Sequence, residues 1–181
     1  MTTMPTTDEE YAQYDRWEQK LKTVELPLWA DLPKFELYMD QLTALVNEIL
    51  GPIGVDPITP AMINNYVKRK AIMAPVKKKY QTMQIADVIL ISLLKPAFSL
   101  ETIRHAIDQV TATIYPQQAY DTFIKRLMFS FKNINNRNSQ ALEEKNLNDK
   151  LMQVAVNVII DRLQSEALLK IVAKPLTKID K

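Results

Sequence analysis

The sequence predicts an all-α fold. Only two glycines occur, Gly51 and Gly54, and both fall in one loop, whereas β-rich folds need glycine in turns along their whole length. Apolar residues recur at spacings of three and four through most of the chain. Ser, Thr and Pro punctuate these runs at positions that start and stop helices. With 47% apolar and 24% charged residues, the chain is globular in composition and long enough to bury a core. It has no cysteine, which excludes disulfides and thiolate metal sites and suits a reducing compartment. The amino terminus is polar and acidic, unlike a secretory signal. The longest apolar run, Ile85 to Leu94, is interrupted by Asp87 and Ser92 and is too short to span a bilayer. A cytoplasmic protein with no membrane partner is expected.

Residues 8–22 carry Tyr11, Tyr14, Trp17 and Leu21 at helical spacing and predict an amphipathic arm laid on the body. Leu26 to Lys34 holds two prolines that enforce an extended path, with Trp29 and Leu32 as anchors, and predicts a docked linker. A helix is expected from Phe35 to Leu50, facing inward through Leu37 or Tyr38, Leu42, Leu45 and Ile49 and stopped by Gly51-Pro52. Thr59-Pro60 starts a short helix to about Lys70, because Thr caps free amides and Pro loses no hydrogen bond at the first helical position. Ile63, Tyr66 or Val67, and Lys70 share one face of it, and Ala61, Asn64, Asn65 and Lys68 the other. After a turn at Lys77 to Tyr80, Thr82 is expected to cap a helix to Lys95, apolar nearly all round and therefore the buried centre. Ser99 caps the next helix, with Glu101, Arg104, His105 and Asp108 toward water and a stripe from Leu100 to Ile114 inward. A further helix follows Tyr115-Pro116, buried through Tyr120, Ile124, Leu127 and Phe131, and the Asn-rich stretch 133–138 suits a hinge. A long helix from about Ser139 to Ala173 carries Leu147, Leu151, Val154, Val158, Leu163, Leu168 and Ile171, and needs either the body or a second chain as its partner.

Charge singles out one region. Between Asp56 and Asp87 lie six cations and no anion, while the whole chain carries only +2, so everything outside this stretch sums to −4. A local cationic face implies a polyanionic partner, most often nucleic acid. Asn64 and Asn65 have the amides to pair with base edges. Lys68, Arg69, Lys77, Lys78 and Lys79 have the charge to pair with phosphates, or alternatively form a solvated face.

The order Thr59-Pro-Ala-Met-Ile-Asn-Asn-Tyr66, Ala71-Ile-Met-Ala-Pro75, Lys79-Tyr80, Ile91-Ser-Leu-Leu-Lys95 and Ala97-Phe-Ser-Leu-Glu-Thr-Ile103 resembles the winged helix-turn-helix of the MerR regulators. That resemblance implies a short helix entering the major groove, with Asn64, Asn65 and Tyr66 on the groove side, and a short wing at Lys77 to Tyr80. It also implies dimerisation through a carboxy-terminal helix. Asn64 stands where the arginine usual in that family would be, and Asn65 replaces one of its paired tyrosines. More extensively, Leu28-Trp-Ala-Asp-Leu-Pro33, Glu36-Leu-Tyr-Met-Asp-Gln41, Met62-Ile-Asn-Asn-Tyr-Val-Lys68 and Ala74-Pro-Val-Lys-Lys-Lys-Tyr80 are similar to an uncharacterised bacterial family, domain of unknown function 1836. It implies a regulator and carries no established activity.

Catalysis finds little support. His105 is the only histidine and falls on a polar helix face, and neither a phosphate-binding loop nor a metalloprotease motif is present. The expectation is a noncatalytic, cofactor-free protein divided into an arm and linker at 1–34, a winged helix-turn-helix-like domain at 35–114 and a helical carboxy-terminal region at 115–181. Its expected partner is double-stranded DNA and its expected state a homodimer. The rival reading is a protein-interaction module whose basic face docks an acidic partner. RNA is less favoured, because few aromatics stand near the lysines to stack single-stranded bases.

Overall fold

A computed structural model describes residues 6–136 and 142–172. Seven α-helices appear in the described residues: α1 Thr7–Lys22, α2 Met39–Leu50, α3 Pro60–Lys68, α4 Thr82–Leu94, α5 Leu100–Thr111, α6 Pro116–Lys132 and α7 Leu147–Val172. The β pairing described is two isolated antiparallel bridges, Leu37 with Tyr80 and Val76 with Lys79. The all-α expectation holds.

The centre of the molecule is α4, in which every residue from Gln84 to Leu94 is buried. A helix apolar on all sides must be covered on all sides, and α2, α5, α6 and α7 each pack against it. Outside that layer α1 lies across α6 and α7, started by a reciprocal cap in which the Thr6 N–H donates to Glu9 Oε2 at 2.7 Å and the Glu9 N–H to Thr6 Oγ1 at 3.4 Å. The linker docks as its prolines and Trp29 suggested. The Trp29 ring meets Tyr120 edge-on at 6.0 Å, the Trp29 N–H donates to Asp121 Oδ1 at 2.7 Å, and the Tyr120 hydroxyl donates to the Pro27 carbonyl at 3.0 Å. One continuous cluster of buried side chains runs from Leu21 of α1 to Leu163 of α7.

Several boundaries differ from expectation, each for a local reason. The second helix begins at Met39, because Leu37 is taken by the bridge to Tyr80, with N–H to carbonyl distances of 2.9 and 2.8 Å, and Phe35 is left exposed. The cap of α4 is Gln81, whose N–H donates to Gln84 Oε1 at 2.6 Å; Thr82 is the first helical residue and donates its hydroxyl to the Pro33 carbonyl at 2.6 Å. The last helix begins at Leu147, after Asn146 Oδ1 accepts the Asp149 N–H at 3.0 Å, and residues 139–141 lie outside the described residues. Within the Asn-rich stretch a 3-10 turn spans Ile134–Asn136 with Ile134 buried, and residues 137 and 138 lie outside the described residues.

The largest inversion concerns α7. Its core face is Met152, Val156, Ile159, Ile160, Leu163 and Ala167; of the stripe read from the sequence Leu163 joins this face and Val158 and Ile171 are half-buried, while the first part points outward, with Leu147 81%, Leu151 42% and Val154 51% exposed. The helix is apolar on two opposed faces, and the face with regular heptad spacing is the outer one. Buried Arg126 of α6 fastens the segment ahead of it, donating from Nη2 to the Glu143 carbonyl at 3.0 Å and from Nη1 to Gln153 Oε1 at 3.2 Å.

Arg104 also departs from the water-facing position expected for it. Its Nη1 donates to Asp87 Oδ2 at 3.1 Å and to the Ala71 carbonyl at 3.3 Å, while Nη2 lies 2.7 Å from Asp108 Oδ1. Burial pushes the Asp87 carboxyl up to about 6, against the opposing pull of Arg104. The folded state therefore binds this proton more tightly than the unfolded chain does. The contribution of Asp87 to stability is greatest below the unfolded value near 4 and is lost as pH rises through about 6. Relative to wild type, Asp87→Asn should gain in stability by up to about 3 kcal/mol between roughly pH 4 and pH 7. Urea denaturation of both proteins at the two pH values measures this, and a difference that does not change with pH would refute it.

Candidate nucleic-acid interface

The basic stretch is built from α3, the turn that ends it and a hairpin. Thr59 Oγ1 accepts the Met62 N–H at 3.3 Å and Pro60 opens the helix, as its residue types dictate. Buried Ile63 and Tyr66 fix its inner face, leaving Ala61, Asn64, Asn65 and Lys68 exposed. At the far end the Lys70 N–H donates to the Val67 carbonyl at 3.0 Å and the Ala71 N–H to the Tyr66 carbonyl at 2.8 Å. This bond pair is a Schellman cap, and Lys70, at φ 56°, holds the left-handed position that glycine ordinarily fills.

The chain then runs along α4, where Gln84 Nε2 donates to the Met73 and Ala74 carbonyls at 3.0 and 3.1 Å. Val76 and Lys79 exchange N–H to carbonyl bonds of 3.1 and 2.9 Å around Lys77 and Lys78, at φ 49° and 64°. Two consecutive left-handed residues in a two-residue loop are the requirement of a type I′ hairpin, which Asn-Gly satisfies without strain. The hairpin closes on the core through Tyr80 and its bridge to Leu37.

Every non-glycine residue with positive φ among the described residues is thus a lysine of this stretch: Lys70, Lys77 and Lys78. A side chain with a Cβ costs on the order of 1 kcal/mol in that conformation. The cost falls on charged residues, all three of them exposed.

The site residues expected from sequence divide into three groups. Asn64, Asn65, Lys68, Lys77 and Lys78 are exposed, and among the described residues the three lysines carry no ion pair. Arg69 and Lys79 are exposed or half-buried but paired, Arg69 with Glu101 at 2.7 Å and Lys79 with Glu36 at 3.4 Å, with Lys79 Nζ also 5.6 Å from the Tyr38 ring centre. The local charge is therefore partly neutralised from outside the basic stretch, contrary to the charge count. Such exposed pairs are worth at most about 1 kcal/mol. The Glu101 carboxyl is held below its ordinary value, chiefly by backbone hydrogen bonding and further by Arg69.

Tyr66 and Tyr80 are corrections. Both are 2% exposed, and burial raises both phenols above their ordinary value, so neither side chain can reach a groove or a backbone outside the protein. Helical spacing had already put Tyr66 beside Ile63, and the two readings of that residue conflicted. Lys70 is a residue the sequence reading missed as a cation of the site. Extending the helix to about Lys70 turned it toward Ile63, but the helix ends at Lys68 and the left-handed cap swings Lys70 into solvent.

Replacing Lys77 by Asn and Lys78 by Gly should raise stability by about 1 kcal/mol, because the turn is kept and its strain removed. Urea denaturation of the double variant measures it. A loss of stability would mean that the lysine side chains hold the hairpin by contacts of their own.

The family described as a domain of unknown function (DUF1836) matches residues 27–123, from the docked linker into α6. The match takes in both bridges, α2 to α5 and all six cations of the basic stretch, and leaves out α1 and α7. No curated protein matches the chain, and no solved structure does. Since the match covers more than half of its length, the chain belongs to the family described as a domain of unknown function (DUF1836).

Proposed function

We propose that this protein binds double-stranded DNA without catalysing a reaction, as a transcription regulator with a MerR-like winged helix-turn-helix. In this reading α3 enters the major groove and the Val76–Lys79 hairpin is the wing. The observation that carries it is the placement of Lys70, Lys77 and Lys78 in left-handed positions where glycine or asparagine would be more stable. Strain kept at three exposed cations in one short stretch is what a charge-dependent binding function retains and stability alone would remove. Asn64 and Asn65 are the candidates for reading bases, and Lys68, Lys70, Lys77 and Lys78 for holding phosphates.

The outer stripe of α7, through Leu147, Leu151 and Val154, is the candidate contact between two copies. Pairing there would carry two basic faces to half-sites about one DNA turn apart. The rival reading, a basic face docking an acidic protein, is favoured by the exposed apolar side chains Met73 and Val76 within the same stretch.

Random duplex DNA at low salt should shift in mobility with micromolar protein. With Lys68, Lys70, Lys77 and Lys78 engaged, log affinity should fall against log salt with a slope of roughly −3.6. The variant with Lys77→Asn and Lys78→Gly should bind all sequences more weakly, with a slope nearer about −1.8. Because the same variant is expected to be more stable, lost binding cannot be ascribed to lost folding. No shift with wild type would instead favour the acidic-protein reading.

Asn65→Ala should lower preference for a site selected from random DNA by roughly 1–3 kcal/mol and leave nonspecific binding intact. Competition titrations against unrelated duplex measure the difference, and equal loss on every sequence would remove Asn65 as a reader.

A further inference from the structure

Beside α4, on the side covered by α5, α6 and α7, lies a cavity of about 130 Å³. Its walls are carbon: Leu90, Ile103, Ile107, Phe123, Met152 and Ala155 are representative. It reaches the surface beside Met83 and Leu151, both exposed. Four lining side chains carry oxygen, and each is already engaged inside the protein. The Asp87 carboxylate accepts from Arg104 at 3.1 Å, the Thr102 hydroxyl pairs with that of Ser99 at 2.9 Å, the Thr111 hydroxyl donates to the Ile107 carbonyl at 2.8 Å, and the Tyr120 hydroxyl donates to the Pro27 carbonyl at 3.0 Å.

A charged occupant would lose its hydration and find no uncommitted counter-charge. An apolar one loses nothing, and dry cavities of about 150 Å³ with comparable walls take up benzene. The cavity is also joined to α3. Arg104 Nη1 bonds both Asp87, in the wall, and the Ala71 carbonyl, next to the left-handed Lys70. Displacing Asp87 therefore displaces the residue that fixes the end of α3.

We propose that this cavity binds a small uncharged hydrocarbon or aromatic molecule, and that Arg104 transmits its occupancy to the cap of α3. The site stands on its own geometry and does not depend on what the basic face binds.

The test is titration of the full chain with benzene, followed by amide and methyl NMR. The Ala106, Ala119 and Ala155 methyls should shift saturably, and the Lys70 and Ala71 amides should shift in parallel. Benzoate, the same ring with a charge, should bind at least about tenfold more weakly. Ala106→Phe should reduce benzene affinity at least about tenfold, with Ala119→Leu as a second filling variant if the first does not fold. Arg104→Gln should leave benzene affinity within about twofold and abolish the Lys70 and Ala71 response.

Absence of saturable methyl shifts in wild type would overturn the site, as would shifts that survive both filling substitutions. Benzoate binding as tightly as benzene would overturn the ligand class. Still Lys70 and Ala71 amides in the saturated wild type would overturn the coupling. Benzene binding only after dilution has dissociated an oligomer would assign the cavity to a second copy and overturn the proposal.

Discussion

The structure depends on the complete burial of α4. An isolated helix with no polar face has no stable place at a surface, so α2, α5, α6 and α7 are arranged around it as a matter of necessity. The polar residues it does carry are then the ones with consequences. Ser92 turns back to its own helix, its hydroxyl donating to the Val88 carbonyl at 2.7 Å. Gln84 and Asp87 reach out instead. Gln84 holds the carbonyls of Met73 and Ala74, and Asp87 holds Arg104, which holds Ala71. The loop between α3 and the hairpin is thus tied to the core by two buried polar groups as well as by the buried side chains of Ala71 and Ile72. Buried polar groups are costly when unpaired, so the path of this loop is narrowly specified.

The same economy of anchoring explains how an irregular, strongly charged segment remains ordered. Between Lys70 and Tyr80 the chain has no helix and only a minimal hairpin, yet it includes three left-handed lysines. Tyr66 and Ala71 on one side and Tyr80 with Leu37 on the other are buried, so both ends are clamped. The strain in between is carried by the stability of what flanks it. The backbone that bears these lysines therefore has less conformational freedom than a mobile tail.

Much of this was legible in the sequence because it is dictated locally. The caps at Thr59 and Ser99, the apolar circumference of α4 and the prolines of the linker each have one good local solution, and each was realised. What was not legible required knowledge of a distant partner. Nothing in Phe35 to Tyr38 announces that Leu37 pairs with Tyr80 and so delays α2. The two apolar faces of α7 are equally plausible from periodicity, and only packing against α1, α4 and α6 selects the less regular one. In the candidate site, the exposure of Asn64, Asn65 and Lys68 followed from helical spacing. A turn at Lys77 to Tyr80 was legible too, but its left-handed two-residue form was not, because it carries Lys-Lys where Asn-Gly would have declared it.

That hairpin has a consequence for its own descent. Val76 is bonded to Lys79, and the next residue, Tyr80, is bonded to Leu37, so no slack exists between the tip and the core. One residue more or fewer would force a choice between keeping Tyr80 inside and keeping two side chains at the tip, because parity along a strand decides which side faces in. Substitution at the tip is structurally cheap, and a change of length is not. Among related chains, divergence here should accumulate as exchanges of one side chain for another and almost never as a gap.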